Sequence, residues 1–242
     1  AHAKWYEVRA YPQAQGLAVY FLDVTRRKHA QDNIGAEKNV LAQIAAGAAL
    51  DQLLAQVCRE TEARSAEGMV CSVLVLDDSG TSLRSGAAPS LSEAYNRAVD
   101  GVPVGPDHGS CGTAAYLREV VEVEDIRTDP RWARYRELAE AEGVRACSSR
   151  PIFSGKGQLL GTIAMYYRQP RLPGARDREL IELAANLAAI AIERRHADAA
   201  LQAAAERLRA TFSQAAIGIA IGELDGRFVE MNDRFVALLG YP

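Results

Sequence analysis

Residues 105–132 read GPDHGSCGTAAYLREVVEVEDIRTDPRW, and residues 143–153 read GVRACSSRPIF. In the first stretch a glycine-punctuated coil runs into Gly109-Ser110-Cys111-Gly112-Thr113-Ala114, a string of small residues between coil and helix. A helix start leaves backbone N–H groups unpaired and carries a partial positive charge. A ligand carboxylate, phosphate or carbonyl can dock there, and small side chains let it approach the backbone. The same position lowers a thiol pKa, which would make Cys111 reactive. The plainer reading makes Ser110 an N-cap, the glycines packing points and Cys111 a small buried apolar side chain. Residues 120–123 then read as a strand. Residues 130–141 read as a helix opened by Pro130, whose missing N–H costs nothing in a first turn, and closed by Gly143.

Outward from this stretch, residues 4–11 and 16–24 alternate in Trp, Tyr, Val and Phe and read as two strands, with a turn over 12–16. Asp23 or Thr25 can accept bonds from the start of the next helix, which covers 26–46 with Ile34, Leu41 and Ile44 on one stripe. Gly47 breaks it, and a second helix covers 50–64. Residues 70–76 form a near-continuous apolar run, a buried strand, and Asp77-Asp78-Ser79-Gly80 is a turn. Leu83 lies on a short strand, and 90–98 is a short helix capped by Ser90 or Ser92. Strands at 150–153 and 159–167 are joined by the hairpin signal Ser154-Gly155-Lys156-Gly157-Gln158. Helices around one mainly antiparallel sheet make an α+β fold.

The apolar fraction of 48% and charged fraction of 24% are those of a soluble globular chain. With 28 Lys and Arg against 31 Asp and Glu, no basic stripe argues for nucleic acid. No apolar run approaches the roughly 20 residues that cross a bilayer, so no direct membrane contact is expected. Cys58, Cys71, Cys111 and Cys147 match no zinc or disulfide framework. They read as free thiols in a reducing cytoplasm. His2, His29, His108 and His196 are scattered, and no metal site is expected.

Residues 176–211 form one helical pattern without Pro or Gly. Leu180, Leu187, Leu201 and Leu208 fall seven apart or multiples of it, and Leu183, Ile190, Ala197 and Ala204 fill the other seam position. Arg194 and Thr211 are the polar exceptions. This heptad implies a homodimer through a parallel coiled coil, with the first half of the helix also packing on its own domain. Arg194 would keep the helix pair from settling into one fixed packing.

Residue strings here resemble known families. The DVTRRK string at 23–28 after a strand pair resembles the end of a PAS domain. FSQAAIGIAIGELDGRFVEMNDRFVALLGYP at 212–242 looks like a PAS opening: a Gly-Ile strand, a DG turn, an asparagine and a closing Leu-Gly-Tyr. Between them, CSVLVLDDSGTSLRSGAAPSLSEAYNRAVDGVPVGPDHGSCGTAAY, VVEVEDIRTDPRW, RACSSRPIFSGKGQLLGTIAMYY and RDRELIELAANLAAIAIERR resemble a GAF domain, of the subgroup that lies between PAS domains in bacterial sensor histidine kinases and diguanylate cyclases. The organisation this implies is a PAS end at 1–25, a linker helix at 26–47, a GAF domain at 48–195, a coiled-coil linker at 196–211 and a PAS start at 212–242.

In that fold Ser110, Cys111, Gly112 and Thr113, with Glu124, Asp125, Trp132 and Tyr135, would line one side of a small-molecule pocket. Arg145, Cys147 and Ser148 would face them. The resemblance implies a sensing and relay fragment without catalysis of its own, in a parent whose kinase or cyclase domain is absent from this sequence. Other readings are a diguanylate cyclase or phosphodiesterase parent, a ligand-free dimerisation spacer, and an enzyme similar to the GAF-fold free methionine-(R)-sulfoxide reductases, with Cys111 as nucleophile and Cys147 resolving it. Gly155-Lys156 lacks the rest of a phosphate loop. No cysteine is followed by His as in a bilin site, and only His108 falls near the pocket for a haem. The sequence names no cofactor.

Overall fold

A computed structural model describes residues 4–14, 16–65 and 68–240. Gln15 of the expected turn, His2 and the closing Tyr241 lie outside the described residues. The chain divides into two units, residues 1–193 and 194–242.

In the first unit, β1 (Tyr6–Gln13) and β2 (Gly16–Asp23) pair antiparallel. Asp23 Oδ1 accepts from Thr25 N at 3.0 Å, at the start of α1 (Thr25–Ala45). α2 (Leu50–Ala63) follows. The remaining elements are β3 (Val70–Leu76), β4 (Ser82–Ala87), α3 (Glu93–Val99), β5 (Val102–Pro103), α4 (Gly109–Leu117), β6 (Val121–Val123), α5 (Arg136–Ala141), β7 (Ala146–Phe153), β8 (Leu159–Tyr167) and α6 (Ala175–Ser213). Six strands form one sheet in the order β5-β4-β3-β8-β7-β6, every neighbouring pair antiparallel. It is an α+β fold with the sheet covered on both faces.

Strand alternation sorts the core into two layers. Cys71 and Val73 of β3 and Ile163, Met165 and Tyr167 of β8 face Leu54 and Val57 of α2 and Leu180, Ile181 and Ala184 of α6. Leu74 of β3 and Ala164 and Tyr166 of β8 face the other layer, with Tyr95 of α3, Ala114 of α4 and Trp132. A strand buried on both faces reads as a continuous apolar run, which is why β3 and β8 stand out in the sequence.

The structure corrects the expected elements in two places. β7 begins at Ala146, not at Arg150. Ala146, Cys147, Ser148 and Ser149 are buried; all four pair with β8, and Cys147, Ser148 and Ser149 also pair with β6. Their small side chains suit a central strand under a helix, yet carry no β-branched or aromatic signal. The single helix expected over 130–141 is split into a 3-10 turn, Pro130–Trp132, and α5. Asp129 caps the turn through Arg131 N, and Tyr135 N bonds Trp132 O at 2.8 Å. The break lets Trp132 bury while Tyr135 stays half-buried beside it.

In the second unit, residues 194–213 complete α6, and β9 (Ala220–Gly222) and β10 (Phe228–Met231) form a hairpin before α7 (Asp233–Leu239). Asn232 is its hub. Its Oδ1 accepts from Ile219 N and Phe235 N at 2.8 and 2.9 Å, and its Nδ2 donates to Phe212 O and Ile217 O. The expected pattern of strand, DG turn, asparagine and helix is thus present. Among the described residues no helix is long and apolar enough to cross a membrane.

Candidate functional site

A cavity lies in the second core layer. Its walls are Leu74 from β3, Tyr166 from β8, Tyr95 and Val99 from α3 and Val102 from β5. His108, Gly109, Ser110 and Cys111 supply the α4 side, and Trp132 and Tyr135 close it. Its volume is about 20 Å³, little more than the roughly 10–15 Å³ that admits one water.

The aromatic walls brace each other edge to face. Ring centroids are 6.0 Å apart for Tyr95–Tyr166, 6.3 Å for Trp132–Tyr135 and 6.4 Å for Trp132–Tyr166, the arrangement aromatic quadrupoles favour. Trp132 Nε1 donates to Ser110 Oγ at 2.7 Å, so a core anchor and the first turn of α4 are tied together. At Gly112, a Cβ would come 2.5 Å from Pro103 O, so only glycine lets α4 lie this close to β5. Thr113 Oγ1 donates to Pro106 O at 2.8 Å and Gly109 O at 2.7 Å and holds the preceding loop.

Cys111 Sγ lies 3.4 Å from Ser149 Oγ, and Cys147 Sγ 3.5 Å from the same oxygen. Burial pushes the Cys147 thiol up to about 12 and raises Cys111 as well. The lowered Cys111 pKa expected from the helix start is therefore corrected: desolvation of the thiolate outweighs the helix-start effect. On the other face of the sheet, hydrogen bonding with Cys58 and then burial raise Cys71. All four cysteines are buried free thiols. The thiolate is the nucleophile that attacks the disulfide of a thiol reagent and displaces its leaving thiolate. Ellman's reagent at pH 8 should therefore titrate less than one thiol per native chain within minutes, and all four after denaturation. Fast reaction of even one would contradict the burial of these thiols.

The structure gathers Ser110, Cys111, Trp132 and Tyr135 at the cavity, with Gly112 and Thr113 shaping the helix behind them. It separates the other candidates. Glu124 is exposed, and its carbonyl accepts from Arg171 N. Asp125 and Arg145 bond each other at 2.9 Å and are absent from the cavity walls. The Arg145 guanidinium holds the Asp125 carboxyl below its ordinary range. Cys147 reaches the layer beneath Cys111 through Ser149. Ser148 alternates onto the opposite face, between Cys147 and Ser149. The opposing polar wall of Arg145, Cys147 and Ser148 is thus replaced by Leu74, Tyr95, Val99, Val102 and Tyr166. Strand alternation could have found Tyr166, because Tyr167 faces α6. Tyr95 and Val102 had no such signal.

Leu180 and Leu187 of the heptad are buried in the chain's own core, with Leu183 partly buried against it. Ile190 is 38% exposed, and Leu201 and Leu208 are each 72% exposed. Arg194 Nε bonds Asp198 at 2.9 Å on the same helix. Among the described residues no group of three His, Cys, Asp or Glu side chains is placed to hold a metal ion.

Comparison with known proteins places this architecture. The GAF domain model matches residues 47–193, and a PAS domain model matches residues 206–242. The methyl sulfide methyltransferase-associated sensor of Methanosarcina acetivorans is 37% identical over 221 residues, 91% of this chain, and the chain spans 22% of that protein's length. The GAF domain of a phosphoenolpyruvate-protein phosphotransferase from Coxiella burnetii is similar in structure, with a TM-score of 0.55 at 20% identity, covering 70% of this chain and 98% of that one. A domain assigned to a two-component sensor histidine kinase of Sinorhizobium meliloti 1021 gives 0.50 at 23% identity, covering 64% and 98%. The family match spans more than half of the sequence, and the chain belongs to the GAF domain family, in the sensor type found in signalling proteins.

Proposed function

We propose that this chain is the sensing and relay region of a multidomain signal-transduction protein of the sensor histidine kinase type. The cavity in the second core layer receives a small molecule, and α6 passes its occupancy on through a parallel coiled coil to the PAS segment that follows. The N-terminal hairpin is the end of a preceding PAS domain. The parent's catalytic output lies outside this sequence.

The observation that carries this reading is the two-faced strand β8. Tyr166 lines the cavity, while Met165 and Tyr167 on the other face share a core cluster with Leu180, Ile181 and Ala184 of α6. A ligand that displaces Tyr166 displaces the strand on which α6 rests. Close-packed layers respond to such a push by switching between discrete packings rather than by deforming smoothly. The 37% identity to a protein named as a sensor supports the same assignment.

Native mass spectrometry of freshly purified protein is the test. The expected result is a dimer, carrying a fixed extra mass when the ligand is retained. A bare dimer that takes up no small molecule would leave dimerisation alone as the function, and a monomer would sink the relay.

A further inference from the structure

The cavity walls say more about the ligand than its position does. Apart from His108, none of the residues lining it is an ionised side chain at neutral pH. Burial pushes the Tyr95 and Tyr166 hydroxyls further from ionisation. No arginine lines the cavity: Arg131 is bonded to Asp129 and Arg145 to Asp125, and Arg134, whose charge reaches Tyr135, is exposed. An anionic ligand in this place would be buried without a lysine or arginine beside it, which is unfavourable.

Most polar groups in the walls are also committed. Trp132 Nε1 donates to Ser110, Tyr166 OH pairs with Ser72 Oγ at 3.1 Å, and Cys111 Sγ pairs with Ser149. His108 Nδ1 differs. It is buried and has no hydrogen-bond partner in the protein, an uncommon state for a buried polar atom. The imidazole is fixed in place by the chain around it, since a Cβ on Gly105 would come 2.8 Å from its ring and one on Gly112 2.7 Å from its Cβ.

We propose that this cavity admits a neutral, mainly apolar molecule of about one-ring size, with a single hydrogen-bonding group that pairs with His108 Nδ1. This rests on the sensing role given to the cavity above. The aromatic walls suit such a ring through further edge-to-face contacts. Admission requires movement, because the space of about 20 Å³ is too small for a ring. Tyr135 is the side chain placed to move. It is half-buried, and its ring lies 3.6 Å from the point where a Cβ on Gly109 would stand.

Three probes of similar size separate the elements of this proposal: phenol, toluene and benzoate. Binding is read from the fluorescence of Trp132 in the full 242-residue chain carrying Trp5→Phe. Phenol is expected to bind saturably, toluene at least tenfold more weakly, and benzoate at least a hundredfold more weakly than phenol. In the His108→Phe variant, phenol should lose its advantage over toluene. Continued toluene binding shows that the variant is folded. Benzoate binding within threefold of phenol, or an unchanged phenol-to-toluene ratio in the variant, would overturn the proposal. If none of the probes binds but the purified protein retains an anionic molecule, the ligand class is wrong and the sensing role stands. If none binds and nothing is retained, both fall.

Discussion

Replacing Gly161 with valine should lower the thermal midpoint of the first unit by roughly 6–12 °C. Gly161 sits in β8, paired with Val75 of β3 on one side and Ile152 of β7 on the other. A Cβ built there would stand 2.2 Å from Leu74 O and 3.0 Å from Val75 Cα. Both are backbone atoms of a central strand, so no flexible side chain can yield. Relief requires β8 to move from β3, and these two strands join the cavity wall to the face under α6. Overpacking a core costs about 1–3 kcal/mol and occasionally more. With rigid backbone as the obstacle, about 3 kcal/mol is the expected scale, and for a domain of this size each kcal/mol shifts the midpoint by roughly 2–4 °C. Gly155→Ala is the matched control. Nothing lies within 4 Å of a Cβ there, and it should change the midpoint by no more than about 1 °C. Scanning calorimetry of both variants decides the matter, and a Gly161→Val midpoint within 2 °C of the parent would show that the sheet can absorb the clash.

The sequence declares the sheet where burial is two-sided and leaves it silent where packing is tight. Residues 70–76 and 159–167 are apolar almost without break, and each forms a strand with the expected bounds. Cys147 and Ser149 lie on the α4 face and Ala146 in the layer under α6, where close packing suits small side chains, and small residues do not announce a strand. The same conflict hid the site. Polar and charged side chains near the motif, Glu124, Asp125 and Arg145, looked like ligand contacts. They are instead exposed or paired with each other, because a charge near a buried apolar layer is most stable when matched at its edge. Tyr95 lies ten or more residues upstream of the motif, and only the folded packing of α3 brings it to the cavity. Trp132 and Ser110 were legible separately, but not the 2.7 Å bond between them.

The heptad is one pattern in two environments, and that sets the second large effect. Leu180 and Leu187 share a seam position with Leu201 and Leu208, yet the first two are 2% and 4% exposed and the last two 72%. Sequence spacing cannot tell a helix packed on its own sheet from a helix packed on a copy of itself, since both need an apolar residue at about every second turn. The exposure changes near Arg194, and the proposed dimer uses the exposed half. Changing both Leu201 and Leu208 to glutamate should therefore raise the dimer dissociation constant on the order of 100-fold or more. Burying one leucine is worth roughly 1.5–3 kcal/mol, and each dimer loses four such contacts and gains repulsion at the seam. Because the substitutions lie in residues 194–242, outside the GAF core, the calorimetric midpoint of residues 1–193 should stay within about 2 °C. Arg194→Leu should act in the opposite direction, removing the Asp198 pairing and filling the seam with an apolar side chain. Sedimentation equilibrium across a concentration series reads both. If the glutamate variant associates as tightly as the parent, the dimer is held elsewhere, and α6 beyond Arg194 does not carry the signal.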